Sequence, residues 1–136
     1  ISFVDWYKEY KPEIIATEVK IFSPKYKFAG TIDCVAKINN EIYVIDWKSS
    51  RSIHESAILQ VAAYTHALEE ITDLKVNSTA IVQLGASNKN GYRYVVYPDF
   101  RKDFKVFLGV KTTWEYDNKK QAEDPPILTL PNVLKL

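Results

Sequence analysis

Apolar and polar positions change period several times along the chain, and each change marks an element. Residues 16–22, ATEVKIF, alternate and predict a strand that follows a helix end near Lys11-Pro12; Ser23-Pro24-Lys25 then predicts a turn. Residues 27–38, KFAGTIDCVAKI, and 41–47, EIYVIDW, are rich in β-branched and aromatic residues and are separated only by Asn39-Asn40. Asparagine tolerates left-handed backbone, so this pair predicts a two-residue hairpin. The string Ser52-Ile53-His54-Glu55 has capping-box form and precedes ESAILQVAAYTHALEEI, whose apolar residues recur at helical spacing; a helix is predicted over 53–71. Two more strands are predicted at 76–84 and 92–97. A second helix is predicted over 100–118, with Phe104, Phe107, Leu108 and Trp114 as its apolar stripe. The tail, 121–136, carries Pro125, Pro126 and Pro131 and reads as an extended strap. The order β-β-β-α-β-β-α implies an α/β fold, a central mixed sheet flanked by helices.

The hairpin has a chemical consequence. Residues equidistant from the Asn39-Asn40 turn face each other, which sets Asp33 directly opposite Asp46. Side chains so placed have Cβ atoms roughly 4.5–5.5 Å apart, and like charges there are destabilising. The two-residue period of a strand puts Asp46 and Lys48 on that same face, while Ile45 and Trp47 point the other way to pack. Two carboxylates and an ammonium converge. Such a pair of carboxylates suits a hard divalent cation that keeps several waters, and the cation would relieve their repulsion. The reaction that uses this set is phosphodiester hydrolysis, in which Lys48 orients or deprotonates water or stabilises charge on the phosphorane. Glu18, in the preceding strand, is a further candidate metal ligand. Gln60 and Tyr64 stand four apart and share one helix face. Ser49, Ser50 and Arg51 link Lys48 to that helix, whose N-terminal amides, capped by Ser52, offer a phosphate site.

Composition sets bounds. A chain of 136 residues, 46% hydrophobic and 13% aromatic, is one domain's worth with enough apolar surface to close a core. A formal net charge of +1 neither demands nor excludes a polyanion, so a nucleic-acid binder would have to gather its Lys and Arg on one face. Arg101, Lys102, Lys105 and Lys111 are one such candidate patch, and Tyr92, Arg93, Tyr94 and Tyr97 a candidate base-stacking strip. The single cysteine, Cys34, excludes an internal disulfide and argues against an iron–sulfur cluster held by this chain. It is read as core, and His54 and His66 as surface or helix-end residues. No apolar run reaches a membrane span and no leader is visible, so no membrane partner is expected. A reducing intracellular setting is expected instead: a bacterial or phage-infected cytoplasm, or an organelle matrix, rather than secretion.

Asp-x-Lys alone usually marks nothing more than a solvated strand end. Gly30-Thr31-Ile32-Asp33, then Val44-Ile45-Asp46-Trp47-Lys48-Ser49-Ser50, then Gln60-Val61-Ala62-Ala63-Tyr64 form a fuller set. It resembles the G-x-x-D, (I/V)-D-x-K-(T/S)-(S/T) and Q-x-x-x-Y motifs of RecB-like nucleases in the PD-(D/E)xK superfamily. Within that branch the Asp-Trp-Lys and Gly-Thr-Ile-Asp-Cys-Val-Ala runs look most like phage-type exonucleases and the mitochondrial genome maintenance exonuclease. The resemblance implies a restriction-endonuclease-like core and a Mg²⁺- or Mn²⁺-dependent DNA exonuclease acting on single strands or ends, in replication, recombination or repair. It implies Asp33, Asp46 and the Trp47 main-chain carbonyl as metal ligands, Lys48 as the catalytic lysine, Glu18 as the acidic residue of the strand before G-x-x-D, and Gln60 and Tyr64 as substrate contacts. Many RecB-like nucleases also supply a metal-binding His from an N-terminal helix, and nothing before Glu18 is a His. The chain is therefore expected to be a single nuclease core without the N-terminal helices of a longer protein. The alternatives are a structure-specific or restriction-type endonuclease and a non-catalytic nucleic-acid-binding module on the same fold.

Overall fold

The computed structural model describes residues 2–85, 91–118 and 128–129. It opens with helix α1 (Ser2–Tyr10), which ends at Lys11-Pro12, where Lys11 takes a positive φ of 47° and its N–H bonds the Tyr7 carbonyl at 2.8 Å. Strands β1 (Glu13–Ser23), β2 (Phe28–Ile38) and β3 (Glu41–Lys48) follow, then helix α2 (Glu55–Ile71), strands β4 (Ser78–Leu84) and β5 (Tyr92–Tyr97), helix α3 (Phe100–Asp117) and the two-residue strand β6 (Leu128–Thr129). The predicted order is present with α1 added in front and β6 behind. The rest of the predicted strap lies outside the described residues.

The strands form one mixed sheet in the order β1-β2-β3-β4-β5, with β6 parallel to β2 at Phe28 and Ala29. β3 and β4 are parallel, and α2 makes the crossover between them; the other neighbours on the main path are antiparallel. The β2–β3 turn is Asn39-Asn40, with φ of 51° and 68°, the two left-handed residues that a type I′ hairpin needs.

Helices cover both faces. Under α2 and α3 lie Ile21, Phe28, Ile32, Val35, Val44 and Ile81, packed against Val61, Leu68, Phe104 and Phe107. α2 is apolar nearly all round because the sheet lies on one side and α3 on the other, and its small Ala62, Ala63 and Ala67 let the layers approach. On the opposite face α1 lays Trp6, wholly buried, over Cys34, Ala36, Ile45, Ala80 and Val82. Each fully buried large side chain of this kind contributes about 1.5–3 kcal/mol.

Several expectations change. The helix after Lys48 starts at Glu55 with His54 as its N-cap, and no side chain caps it. Ser52 instead accepts a bond from Ser50 Oγ at its carbonyl, 2.8 Å away, so the capping box does not form. Arg101 is bound to Glu69 through both terminal nitrogens (2.9 and 3.1 Å), and Lys111 is buried against Glu115, which leaves no continuous basic patch. Tyr92 and Tyr94 pack beneath α1, with the Tyr92 hydroxyl donating to Glu9, while Tyr97 packs in the cluster on the other face, so the four residues form no single strip. His66 is half-buried and stacked on Phe104 at 4.0 Å rather than lying free on the surface. No helix among the described residues is long and apolar enough to cross a membrane.

Candidate active site

The site lies where strand pairing stops. From the turn, the β2–β3 ladder runs from Ile38↔Glu41 to Cys34↔Ile45. The next facing residues are Asp33 and Asp46, as the count across Asn39-Asn40 requires, and there the ladder ends. Asp33 Oδ2 accepts the main-chain N–H of Trp47 at 2.9 Å, so a carboxylate takes the place of a main-chain partner. On β2, β6 occupies the edge only at Phe28 and Ala29. Between these two pairings the β2 edge from Gly30 to Asp33 faces the site.

β1 is disturbed at the same level. Thr17↔Cys34 and Val19↔Ile32 bracket Glu18 and set it across from Asp33, but Glu18 has a φ of 51°, the left-handed region that costs an ordinary residue about 1–2 kcal/mol. The pleat resets here. Phe28 and Ile32 face α2, whereas Cys34, Ala36 and Ile38, at the same parity, face α1. Regular alternation would put Ile32 and Cys34 on one face. The reset lets Asp33 leave an otherwise continuous apolar surface.

Asp46 and Lys48 project on the α2 side of β3, and Trp47 packs on the other side against Trp6 and Phe3 with ring centroids 5.3 and 5.2 Å apart. Lys48 Nζ stands 3.1 Å from Asp46 Oδ2, with the two side chains 31% and 15% exposed. Burial pushes the Asp46 carboxyl up to about 7, helped by its hydrogen bond with Asp33 and opposed by Lys48. Asp46 Oδ2 is shut off from solvent, and Lys48 lies beside it off the line of a hydrogen bond, so this oxygen has no donor.

α2 closes the site from above. Gln60 Nε2 donates to the Tyr64 hydroxyl at 3.1 Å. Burial raises the Tyr64 hydroxyl to about 12, with Asp46 and Asp33 adding to the rise against the Gln60 bond, so it stays protonated beside the carboxylates. Gly30 explains itself through Tyr64: a Cβ at Gly30 would sit 2.0 Å from Tyr64 Cε1. The glycine of Gly-x-x-Asp and the tyrosine of Gln-x-x-x-Tyr therefore form one packing unit. Ser49, Ser50 and Arg51 are exposed on the strand-to-helix link.

Sequence reasoning missed Gln83. It lies on β4 beside Lys48, is 2% exposed, and donates from Nε2 to the Ser50 carbonyl at 2.6 Å, tying down the segment after the lysine. Its signal was a polar residue inside the apolar run TAIVQL.

Among the described residues no group of three His, Cys, Asp or Glu side chains is arranged to hold a metal ion. The protein's own donors are the Asp33–Asp46 pair, with Glu18 lining one pocket with Asp33. That set does not make the closed cage of a structural zinc site, but it suits a hard divalent cation that keeps much of its water. A cation at Asp46 Oδ2 would add to the Lys48 ion pair there and offset the cost of a charged carboxylate buried beside another.

A mixed sheet flanked by helices, with two aspartates and a lysine where β2 and β3 part, is a restriction-endonuclease-like core. The model of the PD-(D/E)XK nuclease superfamily matches residues 2–125, and the chain belongs to that superfamily. No individual curated protein matches it.

Proposed function

We infer that this nuclease is a Mg²⁺- or Mn²⁺-dependent DNA exonuclease of the RecB-like branch, acting on single-stranded DNA or on DNA ends in replication, recombination or repair. The observation that carries the hydrolytic reading is the meeting of Asp33, Asp46 and Lys48, with a buried Asp46 oxygen that lacks a donor. The choice of branch rests on the Gly30–Asp33, Asp46–Ser50 and Gln60–Tyr64 motifs, and the choice of DNA and of free ends follows from the branch.

Asp33, Asp46 and the Trp47 main-chain carbonyl would hold the cation, with Glu18 as a further candidate. When bound, the cation supplies Lewis acidity at the scissile phosphate and lowers the pKa of water beside it. Lys48, paired as an ammonium with Asp46, orients the attacking water and stabilises charge building on the phosphorane, while the water's proton leaves to solvent. The water oxygen bonds phosphorus, the bond to the leaving ester oxygen breaks, and that oxygen gains a proton. Tyr64, kept protonated, offers its hydroxyl to the substrate backbone, and Gln60 fixes the ring's orientation. Ser49, Ser50 and Arg51 lie at the mouth, where they would meet flanking phosphates.

The test is digestion of end-labelled linear and circular single-stranded DNA with Mg²⁺ or Mn²⁺. Linear DNA should be degraded and the circle spared; nicking of the circle would make the protein an endonuclease. Lys48→Ala should lower kcat by about a hundred- to a thousandfold, the scale of losing one preorganised charge-stabilising group, with DNA binding retained. Binding without cleavage by the unaltered protein would leave a nucleic-acid-binding module.

A further inference from the structure

Arg93 shares a face of the sheet with the catalytic groups. β3, β4 and β5 pair without a register shift where the site lies: Lys48 faces Gln83, and Gln83 faces Arg93. Facing residues of adjoining strands point to one side, so Lys48, Gln83 and Arg93 stand in a row across the three strands on the side of Asp46. Packing agrees with this alternation. Ile81 and Tyr97, of the same parity as Gln83 and Arg93, belong to the cluster under α2 and α3, whereas Val82, Tyr92 and Tyr94 pack under α1. At strand spacings of about 4.8 Å the row sets Arg93 roughly 10 Å from Lys48, about three nucleotides of stacked strand at roughly 3.4 Å each.

We propose that Arg93 binds a backbone phosphate flanking the scissile one, so that the substrate strand leaves the site across β4 and β5. The inference rests on the nuclease reading above. The way out comes first. On the β1–β2 side α2 lies over the strands and the Tyr64 ring rests against Gly30, whereas β5 takes its main helix contact from α1, on the far face, and Arg93 is exposed. The floor comes second. Gln83, buried beneath, holds the Ser50 carbonyl at 2.6 Å, which draws the chain leaving Lys48 over β4 and sets the exposed Ser49 and Ser50 between the two cations. Charge comes third. β4 and β5 contain no acidic residue, and among the described residues no carboxylate pairs with Arg93, whereas Arg101 is bound to Glu69 and Lys111 to Glu115. A guanidinium so placed presents a fork of donors that matches the oxygens of a phosphate. Arg93 touches no reacting atom, so it is a positioning residue that holds the strand in register with Asp33 and Asp46.

The experiment moves a single uncharged methylphosphonate linkage stepwise along an end-labelled oligonucleotide, single- or double-stranded, and measures kcat and KM with Mn²⁺. For the unaltered protein, KM should rise about tenfold when the neutral linkage lies at one spacing outside the cut, the lower part of what one charge-assisted hydrogen bond is worth. In Arg93→Ala, all-phosphate DNA should show that same rise, and the neutral linkage at that spacing should add nothing further. The loss should fall on KM rather than on kcat. Salt should report the same contact: the slope of log Kd against log salt for a single strand should shrink by about 0.7 in Arg93→Ala and hold in Arg93→Lys. A penalty at that spacing that persists in full in Arg93→Ala overturns the assignment, as does cleavage indifferent to every neutral linkage outside the cut; both leave the nuclease standing. A protein that neither binds nor cuts any oligonucleotide overturns both readings. Should Arg93→Ala fail to fold, Arg93→Gln carries the same measurements.

Discussion

The two ends of the β2–β3 hairpin obey different rules. At the turn end, five consecutive facing pairs from Ile38↔Glu41 to Cys34↔Ile45 make an unbroken ladder, and the inward side chains are apolar. At the open end the ladder stops, an Asp33 carboxylate takes the Trp47 N–H, and two like-charged groups are held together beside a lysine. The turn end holds the strands in register, and the open end uses that register. At the open end the buried carboxylate is held by a main-chain group that the ended ladder releases.

The largest effects should come from Asp33, which serves both ends of that contrast. Asp33→Ala and Asp33→Asn should each lose cleavage to the extent expected for Lys48→Ala. They should differ in stability. Asparagine keeps an acceptor for the Trp47 N–H and alanine strands it, so the asparagine variant should be more stable by about 1–3 kcal/mol in urea unfolding. Equal stabilities would mean that the carboxylate does not replace a main-chain partner.

Gly30→Ala should come next. The added methyl must displace the Tyr64 ring, the kind of overpacking that costs about 1–3 kcal/mol. Because Tyr64 roofs the carboxylates, DNA affinity should fall as well. In a Tyr64→Ala background, where the buried ring is already lost at its own cost, Gly30→Ala should add little further loss of stability, and an undiminished penalty there would show that the glycine serves some other need.

Asp46 sharpens the comparison through pH. Its carboxyl lies near 7 in the folded chain against an ordinary value of 3.8, so the folded state favours the proton. That contribution is full below about pH 4 and is lost as pH rises through about 7. Without divalent cation the protein should therefore lose stability across this window, and Asp46→Asn should flatten the curve. Mg²⁺ above pH 7 should restore stability to the unaltered protein and not to Asp46→Asn. A melting temperature indifferent to Mg²⁺ at pH 8 would argue against a cation on this carboxylate.

What could be read from the sequence follows the same division. The period-2 strands, the Asn39-Asn40 turn and the long apolar helix are local patterns, and they carried the order of the central elements and the meeting of Asp33 with Asp46. The features that escaped depend mostly on distant packing. The Ser52 capping box did not form because the chain leaving Lys48 is held by Gln83 from β4, a contact 33 residues away in sequence. The left-handed Glu18 opposes a pleat reset on a different strand, and α1, although Phe3, Trp6, Tyr7 and Tyr10 recur at helical spacing, is short enough that its pattern reads only as a helix end near Lys11-Pro12. Gly30 could be seen in the sequence as a motif position, but its reason lay in a ring on another element.

The smallest expected effect tests the turn end alone. Asn40 sits at a φ of 68°, which asparagine tolerates better than other L-residues and glycine adopts freely, while glycine gives back about 0.5–1 kcal/mol in unfolded-chain entropy. The two terms nearly cancel, so Asn40→Gly should change stability by no more than about 0.5 kcal/mol, measured as a shift of the urea midpoint at constant slope. Cleavage should be unaffected, because the register at Cys34↔Ile45, and with it the meeting of Asp33 and Asp46, is already held by the ladder. A change in kcat would show that the turn transmits strain to the open end, and that the two halves of the hairpin are coupled more tightly than their hydrogen bonds imply.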